Sequence, residues 1–360
     1  MNKEIVPYIG AGGIVERATA WSQLSDGERR RRAMKAAQDH DHEALWSMTE
    51  SYLTLYGRKG GNISPLTLSA YRQALMPPKD WGHEEKCPTS AQPPPLTLFV
   101  AWKEENLLHP SLMASARWLR QLEGRGYITS TVRKYLAAGN AFYAALRMTG
   151  ATGADPFKDI HPAPDPTPRH EKRGPYSGEE VTRMLDHAKG PDRLLVLLGA
   201  HAGLRVSELV AVQWRDVDLE SRHMIIQEGK GGRKRTVPIS KTLAAELERQ
   251  YPNGSLHVLP YDVVPMTRRP GRARNDPEDL LPSSKRTRAW RRLREIARHA
   301  GVTFKGKSVH GLRHTAGTKL YKRRENIRDV MALLGHTNPS TAMVYAEYAD
   351  DAMQREVRDW

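Results

Sequence analysis

The stretch that decides the fold is Ala202-Gly203-Leu204-Arg205-Val206-Ser207-Glu208-Leu209. It overlaps a strongly apolar run, Leu194 to Leu204, which has about half of the ~20 residues that a membrane span needs. That run predicts a buried helix that stops near Gly203. A second helix is predicted from Val206 to Val212. Because Arg205 and Glu208 are three residues apart, we expect them on nearly the same side of that helix.

Four further segments follow at defined distances. They are the turn Gly229-Lys230-Gly231, the stretch His310-Gly311-Leu312-Arg313-His314-Thr315, the tripeptide Leu334-Gly335-His336, and the stretch from Thr341 to Tyr345. The Gly-rich turn joins two predicted strands, His223 to Glu228 and Lys234 to Ile239, as a hairpin. Each segment alone is a weak signal. All five in this order, with Tyr345 nine residues after His336, are hard to obtain by chance.

Taken together, the five segments resemble the tyrosine recombinase (phage integrase) family. The resemblance is strong over about residues 176–350, whereas over residues 44–150 it rests on helical content and position only. It implies a mainly α protein with a small β-sheet (α+β), in which an N-terminal helical core-binding domain and a catalytic domain form a C-shaped DNA clamp. It also implies a DNA-cleaving and DNA-rejoining enzyme that works through a 3′-phosphotyrosine intermediate.

The residue types in these segments suit that chemistry. Cleavage of a phosphodiester loads negative charge on the nonbridging oxygens, and arginine offers them permanently charged, paired donors. The resemblance gives this role to Arg205 and Arg313, and it makes Tyr345 the nucleophile. A free tyrosine has a pKa of about 10, so its oxygen needs a proton acceptor or positive surroundings. Two alternatives stay open: Tyr345 as a plain core residue, and Tyr348 as the nucleophile.

The remaining roles concern protons and orientation. The resemblance places His310 and His336 where they can give hydrogen bonds and transfer protons. It makes Lys230, at the tip of the hairpin, the general acid for the leaving 5′-oxygen, although a plain exposed turn would look the same and Lys234 is nearby. Glu208 is expected to orient active-site groups without touching DNA.

A strongly basic helix is predicted from Lys285 to His299. Its candidate DNA-binding residues are Lys285, Arg286, Arg288, Arg291, Arg292 and Arg294, against the single acid Glu295. Such a helix favours several phosphate contacts, with one or two side chains reading bases. A solvated helix with Trp290, Leu293 and Ile296 packed inward is the plainer interpretation, and both can hold together.

Composition divides the chain into segments. We predict a basic N-terminal arm over 1–43, helical or disordered until DNA is present, and a helical core-type DNA-binding domain over 44–154 with an inserted loop at 77–95. A Pro-rich linker over 155–175 precedes a catalytic domain over 176–349 and a tail over 350–360. In the tail, Met353, Val357 and Trp360 have helical spacing, which suits docking on a neighbouring protomer or on the same chain.

Bulk composition narrows the class of partner. The 360 residues carry a formal net charge of +15 at a pI near 9.9, which favours a polyanion such as double-stranded DNA. The one cysteine, Cys87, allows neither an internal disulfide nor a Cys-rich zinc site. The sequence shows no secretory signal, membrane span, nucleotide-binding loop or acidic cluster suited to Mg²⁺. We therefore predict a cytoplasmic, nucleoid-associated protein without cofactors or metals.

The resemblance also implies partners, and it leaves competing functions open. It predicts a homo-tetramer on paired DNA sites and allows for an accessory directionality factor. A relaxing topoisomerase of type IB shares the chemistry, but the short hairpin and short tail favour a recombinase. A noncatalytic DNA-binding regulator would leave Arg205, Lys230 and His310 without a reason to occur together. The inserts at 77–95 and 258–284 favour an integrase of a phage or mobile element.

Overall fold

A computed structural model of the chain describes residues 18–77, 96–165, 167, 174–227, 234–251, 255–261, 283–336 and 338–346. Several predictions lie outside these residues: Lys230, Tyr348, nearly all of the loop 77–95, most of the segment 258–284, and the tail 350–360. The chain divides into two compact units, Met1–Pro166 and Thr167–Trp360. This division falls within the Pro-rich stretch. The limits predicted for the inserted loop, the catalytic domain and the tail stay predictions.

The described residues of the first unit form helices joined by turns and loops. Its α-helices are α1 (Asp26–Gln38), α2 (His42–Leu55), α3 (Pro65–Leu75), α4 (Leu98–Ala101), α5 (Ala114–Gly124) and α6 (Thr129–Met148). Local signals explain several helix starts. Asp41 caps α2 through the backbone N–H of Ala44, and Ser64 caps α3 ahead of a proline at the first helical position. The long helix α6 packs against α2 and α3 at the centre of the unit.

Two predictions for this unit need correction. The predicted basic arm over 1–43 is part of the packed unit where the structure describes it, because α1 buries Ala33, Ala36 and Ala37 in the core. The alanine spacing gives α1 an apolar face, which the dense run of arginines obscures in the sequence. The predicted linker begins too early, because Phe157 is buried and stacks on Trp102 at 5.5 Å between ring centroids. A Cβ at Gly139 would lie 2.7 Å from the Phe157 ring, so that position has no room for a side chain.

The second unit is helical with one small sheet. Its α-helices are α7 (Gly178–His187), α8 (Pro191–Ala200), α9 (Val206–Leu209), α10 (Lys241–Gln250), α11 (Ser283–His299), α12 (Ser308–Arg324), α13 (Ile327–Leu334) and α14 (Pro339–Ala342). The predicted mainly α fold with a small β-sheet is thereby confirmed. Helix α8 is the buried helix expected from the apolar run, since Leu194 through Leu198 are all fully buried. It packs against α7, α10, α11 and α12.

The sheet has three antiparallel strands where the sequence predicted two. They are β1 (Val217–Asp218), β2 (His223–Ile226) and β3 (Arg235–Pro238), in the order β1-β2-β3. Strand β1 is only two residues long, too short for an alternating pattern to reveal it. Met224 faces Val237 across the β2–β3 pair, and Ile226 faces Arg235. The face that buries Met224, Ile226 and Val237 joins the core of the unit, so Arg235 begins β3 on the buried side.

Candidate active site

The loop between α8 and α9 brings Arg205 to the site. Gly203 has φ +66°, a conformation that glycine adopts without strain. A Cβ there would lie 2.5 Å from Leu334 Cδ2, so the loop also needs glycine for its close approach to α13. Arg205 then caps α9, and its backbone N–H donates to Glu208 Oε2 at 2.8 Å. The predicted helix from Val206 to Val212 is shorter than expected, because α9 ends at Leu209.

The carboxylate of Glu208 is the anionic centre of the site. Its side chain is fully buried, and it accepts a hydrogen bond at 2.8 Å from Arg205 Nη1. Arg235 donates to both of its oxygens, from Nη1 at 2.9 Å and from Nη2 at 2.8 Å. Burial raises the pKa of this carboxyl, but the hydrogen bonds from Arg235 and Arg205 outweigh burial and lower the pKa to about 2. Glu208 is therefore ionised throughout the neutral range.

Three arginines, which we call the arginine cluster, meet at the end of α13: Arg205, Arg235 and Arg313. They donate to three consecutive backbone oxygens, which we call the α13 carbonyls: Arg235 Nε to Leu333 at 3.3 Å, Arg313 Nη2 to Leu334, and Arg205 Nη2 to Gly335 at 3.4 Å. The last carbonyls of a helix lack partners within the helix and carry partial negative charge. The end of α13 thus attracts and aligns three positive charges.

Arg313 is the most enclosed member of the cluster, with 2% of its side chain exposed. Its Nη1 donates to the Gly203 carbonyl at 2.6 Å, which ties α12 to the loop before α9. Burial, followed by the positive charge of Arg205, lowers its pKa to about 10. The guanidinium remains charged at neutral pH, and its nearest carboxylate oxygen is Glu208 Oε2 at 3.8 Å.

Tyr345 is buried beside this cluster, with 1% of its surface exposed. Its ring lies between His336, stacked at 6.0 Å between centroids, and His314, tilted at 5.6 Å. Gly317 on α12 makes room for it, since a Cβ there would lie 2.6 Å from the Tyr345 ring. Burial raises the pKa of Tyr345 to about 12, although Arg313 and Arg205 act in the opposite direction. The phenol is protonated at neutral pH.

His336 follows Gly335 directly and is half-buried. Burial, with the charges of Arg313 and Arg205, lowers its pKa to about 4, so its imidazole is neutral at physiological pH. Its Nδ1 is buried without a hydrogen-bond partner among the described residues. His310 stands on α12, and its ring lies 5.8 Å from that of His314. The neutral imidazole of His336 can accept a proton, and the neighbouring phenol of Tyr345 can donate one.

The structure brings together five of the predicted site residues, and it adds one that the sequence interpretation missed. Arg205, Glu208, Arg313, His336 and Tyr345 converge in the second unit, and His310 joins them through His314. The missed residue is Arg235. The alternation of inward-facing and outward-facing residues along β3 could have identified it. Val237 faces inward, and Arg235 lies two residues before it on the same face.

The predicted DNA-binding residues lie on α11, which starts at Ser283, two residues earlier than expected. Leu293 and Ile296 pack inward, as predicted, whereas Trp290 is partly exposed at 39% and packs on Phe304. Arg291 and Arg294 are exposed. Arg292 differs from them because its guanidinium pairs with Asp192 of α8 and, at 3.0 Å, with Glu295.

An open groove of about 380 Å³ connects α11 with the start of α12. Arg286 and Trp290 line it from α11, and Ser308 and His310 line it from α12. Arg286 thus faces the same space as His310. Lys285 and Arg288 stand on either side of Arg286 in the sequence of α11 and are partly exposed.

Among the described residues, no three His, Cys, Asp or Glu side chains lie close enough together to hold a metal ion. None of the helices in the same part of the chain is both long and apolar enough to cross a membrane.

We expect Glu208→Gln to lower the free energy of unfolding by roughly 3–5 kcal/mol near neutral pH, because it leaves buried guanidiniums without their counter-ion. Since folding lowers the pKa of Glu208 from 4.5 to about 2, the ionised carboxyl stabilises the fold above pH 4.5. That contribution is lost as the pH falls towards 2. Denaturant unfolding at a series of pH values measures it.

The control for this variant is Glu248→Gln on α10, which removes an exposed carboxylate from the same unit. We expect the difference in unfolding free energy between the wild-type protein and Glu208→Gln to shrink below pH 4.5 and that of the control to stay near zero. A difference for Glu208→Gln that is constant from neutral to acidic pH would contradict the assigned charge.

Residues 176–352 match the model of the phage integrase family. The tyrosine recombinase XerA of Thermococcus kodakarensis is 31% identical over 261 residues, which span 71% of this chain and 83% of that protein. XerA of Pyrococcus furiosus is 29% identical over 268 residues, 72% of this chain and 85% of the relative.

Among solved structures, a lambda integrase tetramer bound to a Holliday junction aligns with a TM-score of 0.56 at 16% identity. The alignment covers 84% of this chain and 76% of the lambda integrase chain. At this identity, the likeness supports the shared fold.

Proposed function

The chain belongs to the tyrosine recombinase family, and from that premise we propose that it cleaves and rejoins double-stranded DNA at specific sites through a 3′-phosphotyrosine intermediate formed by Tyr345. The observation that carries the proposal is the position of Tyr345, buried between two histidine rings beside Arg205 and Arg313. These residues come from segments far apart in the sequence. A structural tyrosine would have no need of two arginines and a neutral imidazole around it.

In the proposed reaction, the Tyr345 oxygen attacks the scissile phosphorus as the bond to the 5′-oxygen breaks. Arg205 and Arg313 stabilise the charge that grows on the nonbridging oxygens. Because the pKa of Tyr345 is about 12, its proton must leave as the new bond forms. We assign its acceptance to His336, which is neutral because its pKa is about 4, and hydrogen bonding around the phosphate to His310.

The displaced 5′-oxygen takes up a proton and leaves as a hydroxyl. We assign this proton to Lys230, which lies between β2 and β3 in the sequence and outside the described residues. The phosphotyrosine ester conserves the energy of the broken phosphodiester. Attack by a 5′-hydroxyl on the ester then reverses the chemistry, so the proposed cycle needs neither ATP nor a metal ion.

Helix α11 is the proposed DNA-binding element of the second unit. Its basic side chains point to more than one side, and Arg286 shares a groove with His310. We assign phosphate contacts to Lys285, Arg286, Arg288, Arg291 and Arg294. Arg292 stays a weaker candidate, because Asp192 and Glu295 already hold its charge.

We propose that the active assembly is a homo-tetramer on paired DNA sites. The lambda integrase neighbour is bound in that form to a Holliday junction, which supports the assembly. An accessory directionality factor belongs to the same proposal.

A suicide substrate tests the function. DNA fragments that bind the protein are first selected from genomic DNA, and the cleavage position is mapped. A nick placed next to that position lets the 5′-hydroxyl segment diffuse away, so the covalent intermediate accumulates. We expect a denaturation-resistant protein–DNA adduct that forms equally well with EDTA and without ATP.

Three outcomes separate the competing functions. An adduct on the selected sites only, with strand exchange between two of them, supports a recombinase. Relaxation of any supercoiled plasmid, without site preference, would point to a topoisomerase of type IB. Binding without an adduct, or an adduct that requires a divalent metal, would overturn the proposal.

A further inference from the structure

We propose that Arg235 is a positioning residue for strand cleavage: it orients Glu208, and it fixes the end of α13 on which Arg205 and Arg313 rest. The inference depends on the proposed function, since it concerns how the cleavage site is held. Arg235 was absent from the candidate residues, and its contacts place it at the middle of them.

The first observation is the geometry of the Arg235 guanidinium. Two of its nitrogens donate to the two oxygens of Glu208 in a parallel pair, and Nε donates to the Leu333 carbonyl. Such a bidentate pair fixes the plane of the carboxylate, which a single hydrogen bond does not. With the carboxylate fixed, Oε1 receives Arg205 Nη1 at 2.8 Å. Arg235 thus sets the orientation of the arginine that is proposed to bind the phosphate.

The same contacts argue against a direct role for Arg235 on DNA. All three guanidinium nitrogens are engaged within the protein, and 11% of the side chain is exposed. Arg205 is more open, with 19% exposed, and its contact with Gly335 is long at 3.4 Å. Of Arg205 and Arg235, it is therefore Arg205 that can turn towards a phosphate, while Arg235 holds the Glu208 carboxylate.

The second observation is the shared use of the α13 carbonyls. Arg235, Arg313 and Arg205 take the oxygens of Leu333, Leu334 and Gly335 in turn. The described groups that offset these three positive charges are the Glu208 carboxylate and the partial negative charge of the helix end. A net charge of about +1.5 remains to interact with a phosphate. The positions of all three guanidiniums depend on the same short segment, 333–335.

The third observation is the fit between Arg235 and Gly335. Gly335 has φ +63°, and a Cβ there would lie 3.0 Å from Arg235 Cδ. The glycine thus allows the arginine to lie flat against the turn that follows α13. His336 is the next residue, so the packing of Arg235 against Gly335 also helps to position the His336 side chain.

The experiment compares Arg235→Met with the wild-type protein in the suicide-substrate assay. Methionine keeps much of the side-chain volume. It removes the positive charge and the planar guanidinium group that makes the bidentate pair, which we call the fork. We expect adduct formation to slow on the order of 10–100-fold, as is typical when the partner that orients an active-site group is lost. DNA affinity should stay unchanged. Arg215→Met, which removes an exposed arginine of the same unit, is the control and should cleave at the wild-type rate.

The pH profile separates positioning from mere destabilisation. The charges that face His336 are Arg313, Arg205 and Arg235, with His310 adding to them and Tyr345 stacked on the ring. Removing one cation raises the pKa of His336, so its protonation should slow Arg235→Met more at about pH 5 than at about pH 8. Arg235→Lys restores the charge without the fork. It should recover the wild-type pH profile but remain slower at every pH.

Each result bears on one claim. If the wild-type protein gives no adduct, the proposed function fails and the inference with it. If the wild-type protein gives the adduct and both Arg235 variants match its rate and pH profile, Arg235 is not a positioning residue although the function stands. Should Arg235→Met fail to fold, Arg235→Lys decides the question, because a wild-type rate in that variant would show that the fork is dispensable.

Discussion

Replacing Tyr345 with phenylalanine is expected to abolish the covalent protein–DNA adduct while DNA binding is retained. The phenol oxygen is the proposed nucleophile, and phenylalanine lacks it. The ring itself should stay in place, because its contacts with His314, His336 and Gly317 are contacts of the ring. Denaturing electrophoresis of the suicide-substrate reaction measures the adduct, and a gel-shift titration measures binding.

The matched control is Tyr348→Phe, which removes a second phenol oxygen three residues further along the chain. We expect this variant to form the adduct at the wild-type rate. Loss of the adduct in Tyr348→Phe together with its persistence in Tyr345→Phe would transfer the nucleophile to Tyr348. Loss in both would show that the phenylalanine replacements disturb the site itself.

Replacing Arg205 with glutamine is expected to slow adduct formation by about 10²–10³-fold, the usual cost of removing one donor to a developing charge. Arg205 is the most exposed member of the arginine cluster, and its side chain keeps donors that Glu208 and Gly335 do not use. The loss should appear in the rate at saturating DNA. Single-turnover adduct formation separates this step from binding.

The charge on the substrate provides the sharper control. A neutral methylphosphonate at the scissile position removes the charge that Arg205 is proposed to meet, so wild-type and Arg205→Gln proteins should differ far less on that substrate. Arg249→Gln removes an exposed arginine of α10 and should behave as wild type on both substrates. An equal loss on charged and neutral substrates would show that Arg205 acts on protein structure and not on the phosphate.

Local signals in the sequence predicted much of the second unit. Ser177 and Glu180 form a capping box at the start of α7, a pattern that the sequence alone displays, with Ser177 Oγ accepting from the Glu180 backbone at 3.1 Å. Ser240 caps α10 in a similar way, with its side chain accepting from the Leu243 backbone at 3.3 Å. Such signals act over three or four residues, so a single sequence carries them completely. Among the described motif residues, Arg205 lies at a helix start, His336 follows a helix end, and His310 and Arg313 lie one turn apart on α12, so local signals act on them as well.

Long-range contacts were not predictable in the same way. Arg235 is positioned by Glu208, 27 residues before it, and Arg292 by Asp192, 100 residues away. In the sequence, both arginines look like solvated charge within basic segments. Only the folded structure shows that each of them is paired with a buried carboxylate. The same holds for α1, whose alanines are buried by helices that come later in the chain.

The end of α13 also constrains how this chain can change in length. One inserted residue within α13 would turn everything after it by roughly 100° and advance it by about 1.5 Å. The last unpaired carbonyls of the helix, together with Gly335 and His336, would then face away from the arginine cluster. We therefore expect an insertion or deletion within Ile327–Gly335 to displace His336 and the helix end from the arginine cluster, whichever amino acid is added or removed.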